Sequence, residues 1–217
     1  MLPILKFLRM LVDNLISQFV TLFVVIDPIG LAPIFLSVTQ GLSHQVRRRI
    51  AVRACLIAAI ILLGFAVGGD RLLRALGITI PAFRIAGGLL LFATAFDMVL
   101  GWRGEREART AEQALEERVH NIAAFPLAIP LMAGPGAITA TVLLAGQAAR
   151  SPPQLAILLG IVASILIICA LVFLSASRIG GFLGVTGNVV LSRLLGVLLA
   201  ALAVQYVVDG VRAVAVG

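Results

Sequence analysis

The stretch LAILLGIVASILIICALVFLS, residues 155–175, decides the class of this protein. It holds 21 residues and no charged side chain. A helix rises about 1.5 Å per residue, so this stretch is long enough to cross the roughly 30 Å hydrocarbon core of a bilayer. It therefore predicts a membrane-spanning helix.

The composition of the whole chain also indicates a membrane protein. Of its 217 residues, 61% are hydrophobic and 12% are charged, whereas soluble domains carry about 25% charged residues. A domain of this size could not bury so much apolar surface away from water. This excludes a soluble enzyme, a disordered tail and a disulfide scaffold.

The basic balance of the chain has a membrane explanation as well. The net charge is +7, but the basic residues lie in short clusters between apolar runs, as they do in membrane proteins. We expect a lipid bilayer as partner and no nucleic acid. Cys55 and Cys169 lie inside apolar runs and are expected to pack as small hydrophobes, with no disulfide, metal site or organic cofactor.

Five further apolar segments resemble the first and predict an all-α membrane protein of one domain, residues 1–217. The six predicted spans are residues 14–38, 50–68, 78–100, 122–147, 155–175 and 189–208. Spans one and four are too long for a straight crossing, and each is interrupted by Pro and Gly near its middle. The charged loop 101–121 between spans three and four is compatible with a solvated surface helix.

Three sequence pairs indicate that the chain contains an internal repeat. Pro28 and Pro135 are 107 residues apart, and the LGIT of residues 76–79 returns as LGVT 107 residues later. Arg84-Ile-Ala-Gly returns as Arg193-Leu-Leu-Gly after 109 residues. The repeats are residues 14–100 and 122–208, with three spans each. Since three is odd, the second copy must cross with inverted topology, a pattern typical of secondary transporters with a midplane site. Two duplicated hairpins with ordinary proline kinks are the alternative.

The first interruption, DPIG at residues 27–30, is expected to begin a half-helix inside the membrane. Asp is a preferred N-cap, and Pro is favoured at the first helical position. Asp27 therefore caps a half-helix that starts at Pro28. A carboxylate at this depth costs about 2.5–3.5 kcal/mol on insertion scales, so we assign Asp27, Pro28 and Gly30 to a substrate site and Asp27 to a coupling ion. A purely structural cap is the alternative.

The second interruption, AGPGAIT at residues 133–139, predicts a half-helix without a side-chain cap. Gly134 takes the N-cap position and Pro135 the first helical position, so the N–H groups from Gly136 onward remain available to an anion. Ala137 and Thr139 follow in the first turn. The first break carries a carboxylate, which attracts a cation, and the second carries N–H donors without a side-chain cap, which attract an anion. This combination suits a zwitterion such as an amino acid.

Several residues of spans two, three and six are also assigned from the repeat and from their spacing. Arg84 and Arg193 occupy matching positions early in spans three and six, where they either contribute to the site or extend to the interface. Gly64 and Gly68 in span two, like the glycine pair at 87 and 88, predict close helix packing.

Three motifs resemble the MarC family, also called UPF0056, which overlaps the neutral amino acid transporter family. They are FVxLFxxxDPxGxxPxF at residues 19–35, RIAGGLLLF at 84–92 and PLMAGPGAI at 130–138. The resemblance covers essentially the whole chain. It implies a six-span protein of the bacterial inner membrane, and some relatives carry small neutral amino acids with an ion gradient. Sodium or a proton would then be the coupling ion.

The distribution of Lys and Arg predicts that both termini lie outside the cell. Ten basic residues follow spans one, three and five, led by Arg47, Arg48 and Arg49, and seven lie on the opposite side. Positive residues favour the cytoplasm.

Two other classes of function are open to this sequence. An intramembrane protease would need a Ser with a His base or a pair of carboxylates, but His44 and His120 lie in predicted loops and Asp27 with Asp97 is the only candidate pair. An accessory membrane protein is the other alternative. No Walker A motif is present to couple ATP.

Overall fold

The computed structural model describes residues 2–102, 122–148 and 151–216, and within them the chain is helical without a strand. The helices are α1 (Leu2–Ile26), α2 (Leu31–Val38), α3 (His44–Ala75), α4 (Ile80–Leu100), α5 (Ala123–Met132), α6 (Pro135–Ala148), α7 (Pro152–Leu174) and α8 (Ala176–Val216). The predicted charged loop lies outside the described residues from position 103 onward.

The helices form up to six membrane spans, in agreement with the sequence. Five stretches are each long and apolar enough to cross a bilayer: Val12–Val38, His44–Ala75, Ile80–Leu100, Pro152–Leu174 and Val189–Ala215. The pair α5–α6, bent by 57°, makes the sixth. The prediction of an all-α membrane protein with breaks in the first and fourth spans is confirmed.

Local sequence signals explain where the unbroken helices begin and end. The Thr79 hydroxyl accepts a hydrogen bond from the Ala82 N–H at 3.3 Å, and Pro81 stands in the first turn of α4. This helix ends at Gly101, whose φ of 82° is left-handed, a conformation that glycine adopts without strain. Prolines likewise open α7. Capping therefore holds α4 and α7 near the lengths that hydropathy predicts, whereas α3 and α8 extend well beyond the predicted spans 50–68 and 189–208.

Helices α4 and α8 pack against one another along their length and run antiparallel. A Cβ atom added at any of three glycines would lie within 3.2 Å of a carbonyl oxygen of the other helix. The facing pairs are Gly88 with Ala203, Gly196 with Ala95, and Gly210 with Pro81. Small residues at such points allow the backbones to approach closely.

The prediction of close packing is confirmed at Gly87 and Gly88 and is wrong at Gly64 and Gly68. Among the described residues, no atom of another element lies within 4 Å of a Cβ added at Gly64 or Gly68. Both glycines lie on a face of α3 that the described residues of the other helices leave uncovered. Their spacing resembles a packing motif, but spacing alone does not say which face of a helix is covered.

Helix α6 occupies the centre of the bundle. It contacts α1, α3, α4 and α7, and ten of its 14 residues are buried. A helix that is apolar on all sides can be covered on all sides, and the sequence of α6 has no charge. In its first turn Gly136 and Ala137 are buried, whereas Pro135 is exposed.

Candidate functional site

Asp27 forms the junction between α1 and α2. Its N–H donates to the Phe23 carbonyl at 2.9 Å and so completes α1, while its own carbonyl accepts from the Leu31 N–H at 3.1 Å. Its side-chain Oδ1 accepts from the Gly30 N–H at 3.0 Å. Asp27 is 3% exposed, so this carboxylate is held inside the bundle by the backbone it caps.

The first half-helix starts later than the sequence predicts. Regular helical structure begins at Leu31 rather than at Pro28, because residues 28–30 form a turn beneath the Asp27 carboxylate. A side chain at Gly30 would overlap this carboxylate. Asp27 also has a φ of 53°, an uncommon left-handed value that Asp and Asn adopt more readily than other side chains. Gly30 is the N-cap residue of α2, so the prediction that Asp27 is the N-cap of a half-helix starting at Pro28 is wrong. Asp27 caps the turn that precedes α2 instead.

The second half-helix starts where the sequence predicts. Helix α6 begins at Pro135, and the Gly134 carbonyl accepts from the Ile138 N–H at 3.0 Å. A Cβ at Gly134 would overlap the Pro130 carbonyl oxygen, so this position requires glycine. The N–H groups of Gly136 and Ala137 have no acceptor within their own helix, as at every helix start.

The structure brings the two interruptions together. A Cβ added at Gly136 would lie 3.5 Å from Cγ1 of Val25, in the last turn of α1. It would also lie 3.4 Å from Leu91 Cδ2 and 3.5 Å from Thr94 Oγ1, both on α4. The first turn of α6 thus meets the end of α1, two residues before Asp27, deep in the bundle.

Thr139 lies on the side of α6 that faces α4. It is 3% exposed, and its methyl group fills the space that a side chain at Gly87 would need. Thr141, two residues along α6, is also buried, and its hydroxyl donates to the Ala137 carbonyl at 2.7 Å. The close contact between α6 and α4 therefore depends on a glycine opposite a threonine.

The two arginines related by the repeat have different surroundings. Arg84 lies on the same face of α4 as Gly87, Leu91 and Thr94 by helical spacing, and that face packs against α6. It is partly buried, and its Nε is shielded from solvent without a hydrogen-bond partner among the described residues. Arg193 is exposed and lies beside Gly101 at the far end of α4. Neither arginine reaches the breaks, because it is Leu91 and Thr94 that meet the start of α6. Arg84 lies about two turns before Leu91 on α4, and Arg193 lies at the far end of that helix.

Gln18 is a buried polar residue that the sequence analysis did not single out. It is 5% exposed, and Thr21, one turn further along α1, is 2% exposed. Gln18 Nε2 donates to Asn14 Oδ1 at 3.2 Å, but its Oε1 has no partner in the described part of the chain. Asn14, Gln18, Thr21 and Val25 share one face of α1. The sequence signal that could have indicated Gln18 was the helical spacing of Asn14, Gln18 and Thr21 within an apolar span.

The described residues offer little for metal chemistry. No group of three His, Cys, Asp or Glu side chains among them could hold a metal ion, and Asp27 is the one carboxylate buried among them. Cys55 and Cys169 are both free and buried. The chemistry of this region is therefore that of a single carboxylate, helix N–H donors and uncharged polar groups.

The family of integral membrane proteins described as MarC matches residues 12–215. The chain belongs to the MarC family. A UPF0056 membrane protein of Archaeoglobus fulgidus is 40% identical over 195 residues, which cover 89% of this chain and 90% of the relative. UPF0056 membrane proteins MJ1677 of Methanocaldococcus jannaschii and YhcE of Escherichia coli are 37% and 35% identical over 199 and 196 residues. These matches cover 91% and 90% of this chain, and 95% and 91% of the relatives.

No solved structure matches the chain. The names of these relatives place them in a membrane but state no substrate. The MarC family is thus established for this chain, along with its membrane-spanning character.

Proposed function

We propose that this MarC protein is a secondary transporter of small solutes, foremost small neutral amino acids, with its site where the two helix breaks meet. The observation that carries the proposal is the contact between Gly136 and Val25, which sets the start of α6 against the end of α1. Interrupted helices that meet inside a bundle are the sites of many secondary transporters. The proposal assigns no enzymatic reaction to the chain.

The chemistry of the two breaks suits a zwitterionic solute. Asp27 Oδ1 bonds to the Gly30 N–H, but a carboxylate accepts several hydrogen bonds, so Asp27 could also take an ammonium group, a sodium ion or a proton. The N–H groups at the start of α6 favour a carboxylate. Asp27 would bind the cationic end and the coupling ion, and Gly136 with Ala137 the anionic end.

The remaining assigned residues would shape this site rather than bind the charged ends of the solute. Gly30 and Gly134 leave room for the Asp27 carboxylate and the Pro130 carbonyl. Pro28 and Pro135 start their turns without an N–H that would need a partner. Thr139 and Arg84 lie along the interface between α6 and α4 and would line the side of the site.

We also propose that the two halves are inverted repeats that rock against each other around the site. Pairing α1–α2 with α5–α6, α3 with α7 and α4 with α8 would relate several of the contacts between helices to one another. Helix α3 touches α5 and α6, and α7 touches α1 and α2; α4 touches α6, and α8 touches α2. The antiparallel run of α4 and α8 also agrees with inverted copies.

Uptake by purified protein in liposomes tests the proposed function. We expect accumulation of radiolabelled alanine or glycine under an imposed sodium or proton gradient and none without a gradient. The matched control is the same protein carrying Gly136→Val, which should block the start of α6, since a Cβ there meets only side chains at 3.4–3.5 Å. Failure of a panel of amino acids and other small solutes to accumulate under either gradient, in protein shown to be folded, would contradict the proposal.

A further inference from the structure

The start of α3 carries an exposed basic stripe that runs into lipid-facing apolar residues. Arg48, Arg49 and Arg53 are all exposed. With their neighbours they line one shallow groove on the outside of the bundle, formed by Gln45, Arg48, Arg49, Val52, Arg53 and Leu56. We refer to these six residues as the α3 groove.

The described residues do not neutralise the charge of this groove. The first turn of α3 contains no acidic residue, and the N-terminus of a helix is itself partly positive. Among the described residues, the ion pair of α3 joins Arg74 to Asp70 at the opposite end of the helix. Arg47 is not part of the groove, because its Nε donates to the Thr39 carbonyl at 3.3 Å. Three guanidinium groups therefore face outward together.

The groove lies at the depth of lipid headgroups. Arg53 and Arg71 are 18 residues apart in α3, a rise of about 27 Å, which is close to the roughly 30 Å thickness of the hydrocarbon core. Between them Leu56 is 59% exposed and Ile60 is 73% exposed. The arginines then lie level with phosphates, and the apolar residues lie level with acyl chains.

We propose that the α3 groove binds an anionic phospholipid of the surrounding bilayer. Guanidinium groups bind phosphate through paired N–H donors, so Arg48, Arg49 and Arg53 would hold the headgroup phosphate. One acyl chain would lie along Val52 and Leu56. A zwitterionic lipid binds less well because its ammonium group is repelled by the same arginines. This inference is independent of what the protein transports.

Lipid retention by the purified full-length protein tests this site. Protein is incubated with equal amounts of phosphatidylglycerol and phosphatidylcholine, and the bound lipids are counted by native mass spectrometry. We expect phosphatidylglycerol to be preferred, and the triple variant Arg48→Gln, Arg49→Gln, Arg53→Gln to lose at least about tenfold of that preference. The matched control, Arg71→Gln with Arg74→Gln, removes charge from the other end of α3 and should keep it.

Charge-conserving and single variants keep the test decisive. Lysine at all three positions should retain most of the preference, and each single Gln variant should lower it severalfold even if the triple variant does not fold. Three outcomes overturn the proposal. The first is equal retention by wild type and Gln variants. The second is displacement of the lipid by inorganic phosphate alone, which indicates a free anion. The third is no preference in the wild type until the glutamates of residues 105–117 are replaced, which indicates that the chain covers its own groove.

Discussion

At the scale of single residues, Asp27 combines a structural and a proposed transport role in one carboxylate. Its position in the middle of a span and its capping function follow from the DPIG sequence, because Asp and Pro have strong preferences at helix starts. Its left-handed φ of 53° does not follow from sequence. That value depends on Gly30 leaving room for the carboxylate to turn back, which is a property of the folded turn.

Replacing Asp27 with Asn separates these two roles. Asn keeps an oxygen that can accept from the Gly30 N–H, and Asn and Asp are similar as caps, so we expect unchanged thermal stability. Transport in liposomes should fall roughly tenfold to a hundredfold, because a hydrogen bond to a charged group contributes about 1.5–3 kcal/mol. If Asp27 carries a coupling proton, the pH dependence of uptake should disappear too. Normal uptake by the variant would reduce Asp27 to a cap.

Replacing Gln18 with Leu should change transport and stability in different directions. A buried acceptor without a partner costs about 1–3 kcal/mol, so Gln18→Leu should leave the stability unchanged or raise it. If the polar face of α1 forms part of the solute path, uptake should fall in the same variant. The control is Ser17→Leu, at an exposed position beside Gln18 in α1. A Gln18→Leu variant that unfolds more readily and transports normally would show that the glutamine is structural.

At the scale of helices, hydropathy and capping signals predicted the spans. They did not predict the start of α2 or the irregular backbone of α5. Helix α6 starts at Pro135 as predicted, but α2 starts at Leu31 because the turn beneath Asp27 takes three residues. Helix α5 departs from regular geometry, with extended backbone at Phe125 and Ile129. Its two prolines indicate an interruption, and the two extended residues are the ones that directly precede Pro126 and Pro130, as proline disfavours helical geometry in the residue before it.

Valine substitutions at three glycines distinguish the proposed site from the lipid-facing surface. At Gly136 a Cβ alone makes ordinary contacts of 3.4–3.5 Å, so Gly136→Ala should retain transport, whereas the two extra methyl groups of Gly136→Val should abolish it. Gly30→Val should abolish it as well, because any side chain there overlaps the Asp27 carboxylate. Gly64→Val is the control, since its side chain meets no other element. Equal loss in all three would argue against a site at the breaks.

The contact between α4 and α6 makes a second prediction at this scale. Gly87→Ala should destabilise the protein by about 1–3 kcal/mol, because its Cβ overlaps the methyl group of Thr139. Thr139→Ser removes that methyl group, and the remaining neighbours of the new Cβ are at 3.4 Å or more. The double variant should therefore be more stable than Gly87→Ala alone, as measured by thermal unfolding in detergent. Strictly additive effects would contradict this packing.

At the scale of the whole molecule, the sequence predicted equivalent roles for Arg84 and Arg193, and the structure distinguishes them. Arg84 faces α6 with its Nε buried, while Arg193 is exposed. A repeat in the sequence relates positions, but it does not require two copies to have equal surroundings in one conformation. If the halves rock as proposed, the two arginines would exchange these surroundings between the two states. Arg193 would then be partly buried, and Arg84 exposed, in the other state.

The orientation of the molecule in the membrane is tested by reporters fused after Gly217. Helix α3 begins at the cluster of Arg47, Arg48 and Arg49 and crosses to the face where α4 starts. Helix α8 returns to that same face, since Gly210 packs against Pro81. The C-terminus and the arginine cluster therefore lie on opposite faces, and the positive-inside rule assigns the cluster to the cytoplasm.

We accordingly expect a fluorescent protein that matures only in the cytoplasm to stay dark when fused after Gly217, and a phosphatase active only in the periplasm to be active there. The matched control replaces Arg47, Arg48 and Arg49 with Gln, which removes the largest basic cluster. That variant should show mixed activity of the two reporters, because the remaining basic residues divide evenly, seven on each side. A bright fluorescent fusion in the wild type would reverse the assignment of faces, while the contact between the two helix breaks would still stand, since it depends on packing and not on charge.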